Sequence, residues 1–405
     1  MNESIRTMLG APSVRPALVI LQPTARCNLN CTYCYLPDRQ DRALMSDEVL
    51  DAAVSFVFAC DLPDDGIEFL WHAGEPLAAG PAFYERAFAL IAKRAPVGLR
   101  VRHILQMNGT LLNQSWCDLF VRYQVDTGLS VDGPAEIHDA NRRTWSGRAT
   151  HAKVMRSYHL LRRNGLSPGA LCVLTPESLS WPDRMYEFFR DAGFGSVGFN
   201  VEESEGVYHH SRLRDIGPDQ LRASYDSFMR RMWQRWRADG SKMIIREFHE
   251  MLGGIVRTRQ EAARVREPLE AVPFSILTIR RDGRLSTFSP ELASTPSGEY
   301  GDFIVGNVLV DTPAEVARSA AFGRLRRDVA IGQDRCRSGC QYYALCGGGF
   351  QSNRFTEHGS LHATETLTCR LHRQTLADVV VGELASESRR LRSGGVQLTT
   401  GVGDS

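Results

Sequence analysis

Between Ala17 and Val201 short apolar runs alternate with helix-length amphipathic segments, and this rhythm narrows the possible folds more than any other feature of the chain. Strands that return once per helix are parallel neighbours joined by crossovers, the construction of α/β barrels and doubly wound sheets. The runs expected as strands are residues 18–21, 67–71, 101–107, 128–131, 171–174 and 197–201. Six of them predict a partial parallel (β/α)6 TIM-like barrel. Ser46 is placed to cap a helix with Val49, Ala53 and Val57 on one face. Gly165 and Gly193 stand where helices over 151–164 and 185–192 should end.

Beyond Gly206 the rhythm changes. Residues 220–251 read as two long polar helices within a helical bridge spanning 206–270. A smaller unit over 271–384 opens with Asp282-Gly283 between two strand-like runs, a hairpin signal. It goes on through a cysteine-rich stretch to a helix ending near Leu384. The barrel is expected over 17–205, after an N-terminal segment of residues 1–16 too short for a separate leader-binding domain. Residues 385–405 are polar and glycine-rich and are expected to be disordered.

The 405 residues carry 48 basic and 47 acidic side chains, a formal charge of +1, so no global field draws the protein to nucleic acid or an anionic membrane. The apolar run from Pro16 is too short for a membrane span and lacks a signal-peptide cleavage pattern, which predicts a cytoplasmic protein. In that reducing compartment ten cysteines read as metal ligands or buried thiols. Cys60, Cys117 and Cys172 lie apart from the rest and read as buried thiols.

The run CNLNCTYC places Cys27, Cys31 and Cys34 directly after the first strand. Three thiolates on a [4Fe-4S] cubane leave one iron free for a cofactor or substrate; a zinc loop completed by a distant ligand is the alternative. The spacing, with Tyr33 before the third cysteine, resembles the signature of the radical S-adenosylmethionine (radical SAM) superfamily. Later strand ends resemble it too. HAGEP offers Gly74, Glu75 and Pro76, with Ala73 in place of the more frequent glycine; QMNGTLL offers Gln106 and Asn108; SVDGP with HDANRR offers Ser130, Asp132 and Arg142, with Arg143 as an alternative. The resemblance implies that these residues and Tyr33 bind S-adenosylmethionine. It also implies cluster-driven cleavage to a 5'-deoxyadenosyl radical, fed by an external electron donor of flavodoxin or ferredoxin type.

Cys336, Cys340, Cys346 and Cys369 can saturate a metal centre, as an auxiliary iron-sulfur cluster or a structural zinc site. With the CGGG turn they resemble the SPASM extension of peptide-modifying radical enzymes. Members commonly carry two auxiliary clusters. Here Ser289 and Phe350 stand where further cysteines would, so one auxiliary cluster, of [4Fe-4S] type by that resemblance, is expected, with Glu291 as the alternative ligand for a second.

Within the superfamily the chain most resembles maturases that build cyclophane crosslinks in ribosomally synthesised precursor peptides. That implies removal of a β-hydrogen, bonding of the carbon to an aromatic ring, and a base for the ring proton. Glu202 and Glu203, after the sixth strand, are the candidates, with solvent-exposed loop acids as the other reading. Tyr342 and Tyr343 either contact substrate or pack beside the cluster. Two alternatives stay open: another protein-modifying radical reaction such as formylglycine or thioether formation, and a non-catalytic zinc-stabilised scaffold.

Overall fold

The computed structural model describes residues 13–260, 265 and 267–394. Six parallel strands follow one another in chain order: β1 (Leu18–Leu21), β2 (Ile67–Trp71), β3 (Val101–Met107), β4 (Asp126–Ser130), β5 (Gly169–Leu174) and β6 (Ser196–Val201). Their crossovers carry α1 (Asp47–Phe58), α2 (Pro81–Arg94), α3 (Gln114–Arg122), α4 (Ala135–Asn141), α5 (His151–Arg163) and α6 (Pro182–Ala192).

Sequence explains these elements locally. The Ser46 hydroxyl accepts from the Val49 N–H and starts α1, while Gly193 ends α6 in the left-handed region at φ 81°. On α2, Phe83, Tyr84, Ala87, Phe88 and Ile91 recur at helical spacing and are buried. Trp71 of β2 meets Tyr84 and Phe88 edge-on, with ring centroids 5.1 and 5.7 Å away. Cys117 and Cys172 are wholly buried, whereas Cys60 is half-buried.

The sheet extends past the six strands at both edges. Beyond β6 lies the two-residue β7 (Ile244–Ile245); beside β1 lie β8 (Ile276–Ile279), β9 (Arg284–Thr287) and β10 (Gly306–Asn307). The Asp282-Gly283 hairpin joins β8 to β9, but β8 also pairs in parallel with β1. The hairpin expected to open a separate unit is thus continuous with the main sheet. All four residues of β8 are buried, and a strand apolar on both faces needs neighbours on a covered sheet.

The expected polar bridge is also more embedded than its composition suggested. α7 (Pro218–Ala238) buries Leu221, Tyr225, Phe228, Met229, Met232, Trp233 and Trp236, packs against α6, and is followed by α8 (Arg246–Gln260). The C-terminal region holds α9 (Ala320–Gly339), α10 (Gln351–His358) and α11 (Leu376–Gly394). Residues 385–394, expected to be disordered, belong to α11. The remaining tail, 395–405, and residues 1–12 of the N-terminal segment lie outside the described residues. No described helix is long and apolar enough to cross a membrane.

Candidate active site at the carboxyl ends of the strands

Parallel strands place all their carboxyl ends on one side, and the loop after β1 brings Cys27, Cys31 and Cys34 there. The loop is clipped from two directions. The Asn30 and Thr32 N–H groups donate to the Arg143 and Asn141 carbonyls at 2.7 and 3.0 Å, and Trp145 Nε1 donates to the Cys27 carbonyl at 2.9 Å. On the other side Gly74 sits at φ 76°, where a Cβ would come within 2.7 Å of the Thr24 carbonyl and 2.9 Å of the Arg26 carbonyl. Only glycine fits that approach. Ala73, the departure from the usual glycine, takes φ 69°.

Glu75 is buried and accepts from the Asn108 N–H at 2.7 Å and the Leu77 N–H at 3.1 Å, tying the ends of β2 and β3 together. Burial pushes its carboxyl up to about 7. Asn108 Nδ2 donates to Asn28 Oδ1 at 2.9 Å and lies 3.9 Å from Cys27 Sγ, so the third strand end also braces the cysteine loop. Pro76 starts a short turn capped by Glu75. Gln106 Nε2 donates to Ser130 Oγ at 3.0 Å across the sheet.

Asp132 is fully buried and is shared by three partners. It accepts from Tyr33 OH, from Arg142 Nε at 2.9 Å and from the Val173 N–H at 3.0 Å. Arg142 stacks over the Tyr33 ring, 5.4 Å from its centroid, whereas Arg143 is exposed. Asp132 therefore fixes Tyr33 and Arg142 beside the cysteine loop.

Burial pushes the Cys27 thiol up to about 12, with a further push from Glu75, and Cys31 up to about 11. Such thiols stay neutral until a metal replaces their protons. Among the described residues no three His, Cys, Asp or Glu side chains are grouped around a single metal ion. A cubane is wider than one ion, and three free thiols close enough to feel one another's charge suit that larger group.

The two acids after β6 part company. Glu202 is neither exposed nor free: its carboxylate accepts from Tyr208 OH at 2.6 Å, from the Arg212 N–H at 2.7 Å and from Arg212 Nη2 at 2.7 Å. Its lone pairs are committed to holding the loop, which corrects its reading as a solvent-exposed loop acid. Glu203 is half-buried, accepts from Thr368 Oγ1, and is pushed by burial up to about 7. Glu205 and Glu291 stand close enough to repel it, and burial raises both, Glu291 to about 8. Asn353 Nδ2 donates to Glu205 Oε1 at 3.2 Å. Glu205 and Asn353 were not singled out from the sequence; the acidic EESE run was the signal for Glu205.

Cys336 and Cys340 lie at the end of α9, Cys346 precedes three glycines that all have positive φ, and Cys369 opens the turn into α11. Two polar side chains that sequence reading missed lie by these cysteines, one at Cys336 and one at the glycine turn. Arg354 donates to Cys336 Sγ at 3.1 Å, and Gln333, one turn before Cys336, has a buried amide whose nitrogen and oxygen find no partner. Ser289 donates no ligand here; its hydroxyl accepts from the Gln351 and Ser352 N–H groups at 3.2 and 3.3 Å. Tyr342 OH donates to Asp378 of α11 at 2.9 Å, and the Tyr343 ring packs under Arg337.

The Radical SAM superfamily model matches residues 21–189. The chain is 42% identical over 388 residues to the uncharacterized protein sll1766 of Synechocystis, covering 95% of this chain and 96% of that one. It is 31% identical over 254 residues to a cysteine-type anaerobic sulfatase-maturating enzyme of Clostridium perfringens, covering 59% of this chain and 66% of the enzyme. In fold it is similar to native anSMEcpe with bound AdoMet, at a TM-score of 0.74 and 24% identity over 92% of this chain and all (100%) of that one.

Proposed function

We propose that the chain is a radical SAM enzyme that oxidises a side chain of a peptide or protein substrate, in the manner of the anaerobic sulfatase maturases; the match of residues 21–189 to the Radical SAM superfamily model and the likeness to those maturases support this reading. The observation that carries this reading is the convergence of the three-thiol loop, Glu75, Asn108 and the Asp132–Arg142 pair on one end of the sheet. The non-catalytic scaffold is set aside by the superfamily match.

A [4Fe-4S] cluster with S-adenosylmethionine supplies, when bound, removal of a hydrogen atom from an unactivated carbon. Cys27, Cys31 and Cys34 would hold the cluster, and Tyr33, Gly74, Gln106, Asn108, Ser130 and Arg142 would surround the cofactor. Glu75 and Asp132 act one layer behind, orienting Asn108, Tyr33 and Arg142. Glu203 takes the proton released when the substrate carbon is oxidised; its raised carboxyl suits that task near neutral pH. Cys336, Cys340, Cys346 and Cys369 would hold a second iron-sulfur group.

Formylglycine formation from a cysteine or serine is the first reading, on the likeness to the maturases. A cyclophane crosslink is the second, on the resemblance of the RCNLNCTYCYLP stretch, the WHAGEP strand end and the FSPEL run to peptide-crosslinking maturases. The reconstituted protein, incubated anaerobically with cofactor, reductant and candidate peptides, separates them. A product that reacts with a hydrazide is an aldehyde; loss of two hydrogens without that reactivity is a crosslink. Cofactor cleavage that persists after replacing Cys27, Cys31 and Cys34 by alanine would overturn the whole reading.

A further inference from the structure

Arg354 is among the largest fully buried side chains, with 1% of its surface exposed. A guanidinium taken out of water needs a negative partner or the fold is penalised. Among the described residues no carboxylate forms an ion pair with it. Its hydrogen bonds go to Cys336 Sγ at 3.1 Å, to the Gly348 carbonyl and to Gln351 Oε1 at 3.4 Å. The groups whose charge it feels are Cys336, Cys346 and Cys369, three of the four thiols of the second cluster.

The surroundings are shaped to this side chain. A Cβ on Gly332 of α9 would lie 2.4 Å from Arg354 Nη1 and 2.2 Å from the Leu361 carbonyl. A Cβ on Gly348 would lie 1.5 Å from Gln333 Oε1, so the glycine turn admits the partnerless amide as well. Neutral thiols would give a buried guanidinium little to balance. Thiolates on an iron-sulfur group would supply the missing negative charge.

We infer that Arg354 is a positioning residue for the second iron-sulfur group: its fixed positive charge, anchored at Cys336 and the glycine turn, raises that cluster's reduction potential. This rests on the reading that the four cysteines hold a cluster. A positive charge in a low-dielectric site stabilises the reduced, more negative state over the oxidised one, so removing it lowers the potential.

The test uses the full chain in which Cys27, Cys31 and Cys34 are alanine, so that only the second cluster contributes. Iron and acid-labile sulfide are counted after anaerobic reconstitution, and the midpoint potential is read by EPR-monitored redox titration. Arg354→Gln is expected to move the midpoint downward by more than the error of the titration, and Arg354→Lys to move it less. An unchanged midpoint in Arg354→Gln, or an equal shift in Arg354→Lys, overturns the inference. If Arg354→Gln keeps no iron, retention by Arg354→Lys supports the role of charge, and equal loss in both overturns it. Absence of iron from the parent variant itself is a separate outcome: it removes the cluster reading, and the inference with it.

Discussion

Glu202 and Glu203 are neighbours in the chain to which the proposed function gives different duties, and the difference is set by what reaches each carboxylate. Arg212 saturates Glu202, so losing that acid should cost stability: Glu202→Ala is expected to lower it by about 2 kcal/mol in urea unfolding. That is less than a fully buried pair costs, because 36% of the Arg212 side chain remains in water. Glu203→Gln should instead not lower the unfolding midpoint at neutral pH, and should slow turnover by about 100-fold or more. The groups facing Glu203 are Thr368, Asn353, Glu357, Arg246, Glu205 and Glu291. A base must be ionised, so turnover should rise with pH through about 7 and then level. Glu205→Gln removes a repelling charge and should move that rise to lower pH. The stability effect has the opposite sense. A carboxyl ionising near 4.5 when unfolded and about 7 when folded favours the fold below that window and loses the contribution as pH rises across it. Equal pH–rate profiles for the parent and Glu203→Gln would remove Glu203 from the mechanism.

At the level of elements, Ser289 shows how a position can change employment while the backbone around it stays useful. Where a cysteine would serve a cluster, its hydroxyl caps α10 from a distant part of the chain. Phe350, at the N-cap of the same helix, packs its ring against Arg373. Ser289→Ala leaves two buried N–H groups without their acceptor, and a loss of about 1–2 kcal/mol is expected in chemical denaturation. A neutral result would mean that α10 is held by other contacts. The six parallel strands, the cap at Ser46 and the helix end at Gly193 were legible because each follows from residues within one turn or strand. The hairpin at Asp282-Gly283 was legible for the same reason, but its pairing with β1 was not, since β1 and β8 are far apart in sequence. The tie at Glu202 was hidden in the same way: nothing in its immediate context announces that Arg212, ten residues on, folds back to it.

The whole molecule depends on a helix pair that composition disguised. α7 reads as polar because arginines dominate its outer side, yet it presents an apolar face and meets α11 along its length. Along that seam Arg222 pairs with Asp378, Arg230 with Glu383 and Arg237 with Glu387, while Trp233 Nε1 also donates to Glu387 at 2.9 Å. These partners explain why the helix continues past Leu384 into a stretch whose composition suggested disorder. Charges in water contribute little each, whereas a methyl pair lost from a closed core costs transfer energy and leaves a cavity. Val380 is fully buried on α11, so Val380→Ala should lower stability by about 2 kcal/mol. Arg222→Ala, which removes only the exposed pair with Asp378, should cost less than about 1 kcal/mol. The same comparison reports on function, because α11 also carries Asp378, the acceptor of Tyr342 OH between Cys340 and Cys346. If α11 anchors that cysteine loop, and if Cys336, Cys340, Cys346 and Cys369 hold the proposed iron-sulfur group, Val380→Ala should shed part of that group's iron on mild heating, before the iron proposed at Cys27, Cys31 and Cys34 is lost. Simultaneous loss of both would show that the sheet and the cysteine-rich region unfold as one cooperative unit, which the pairing of β8 with β1 also permits.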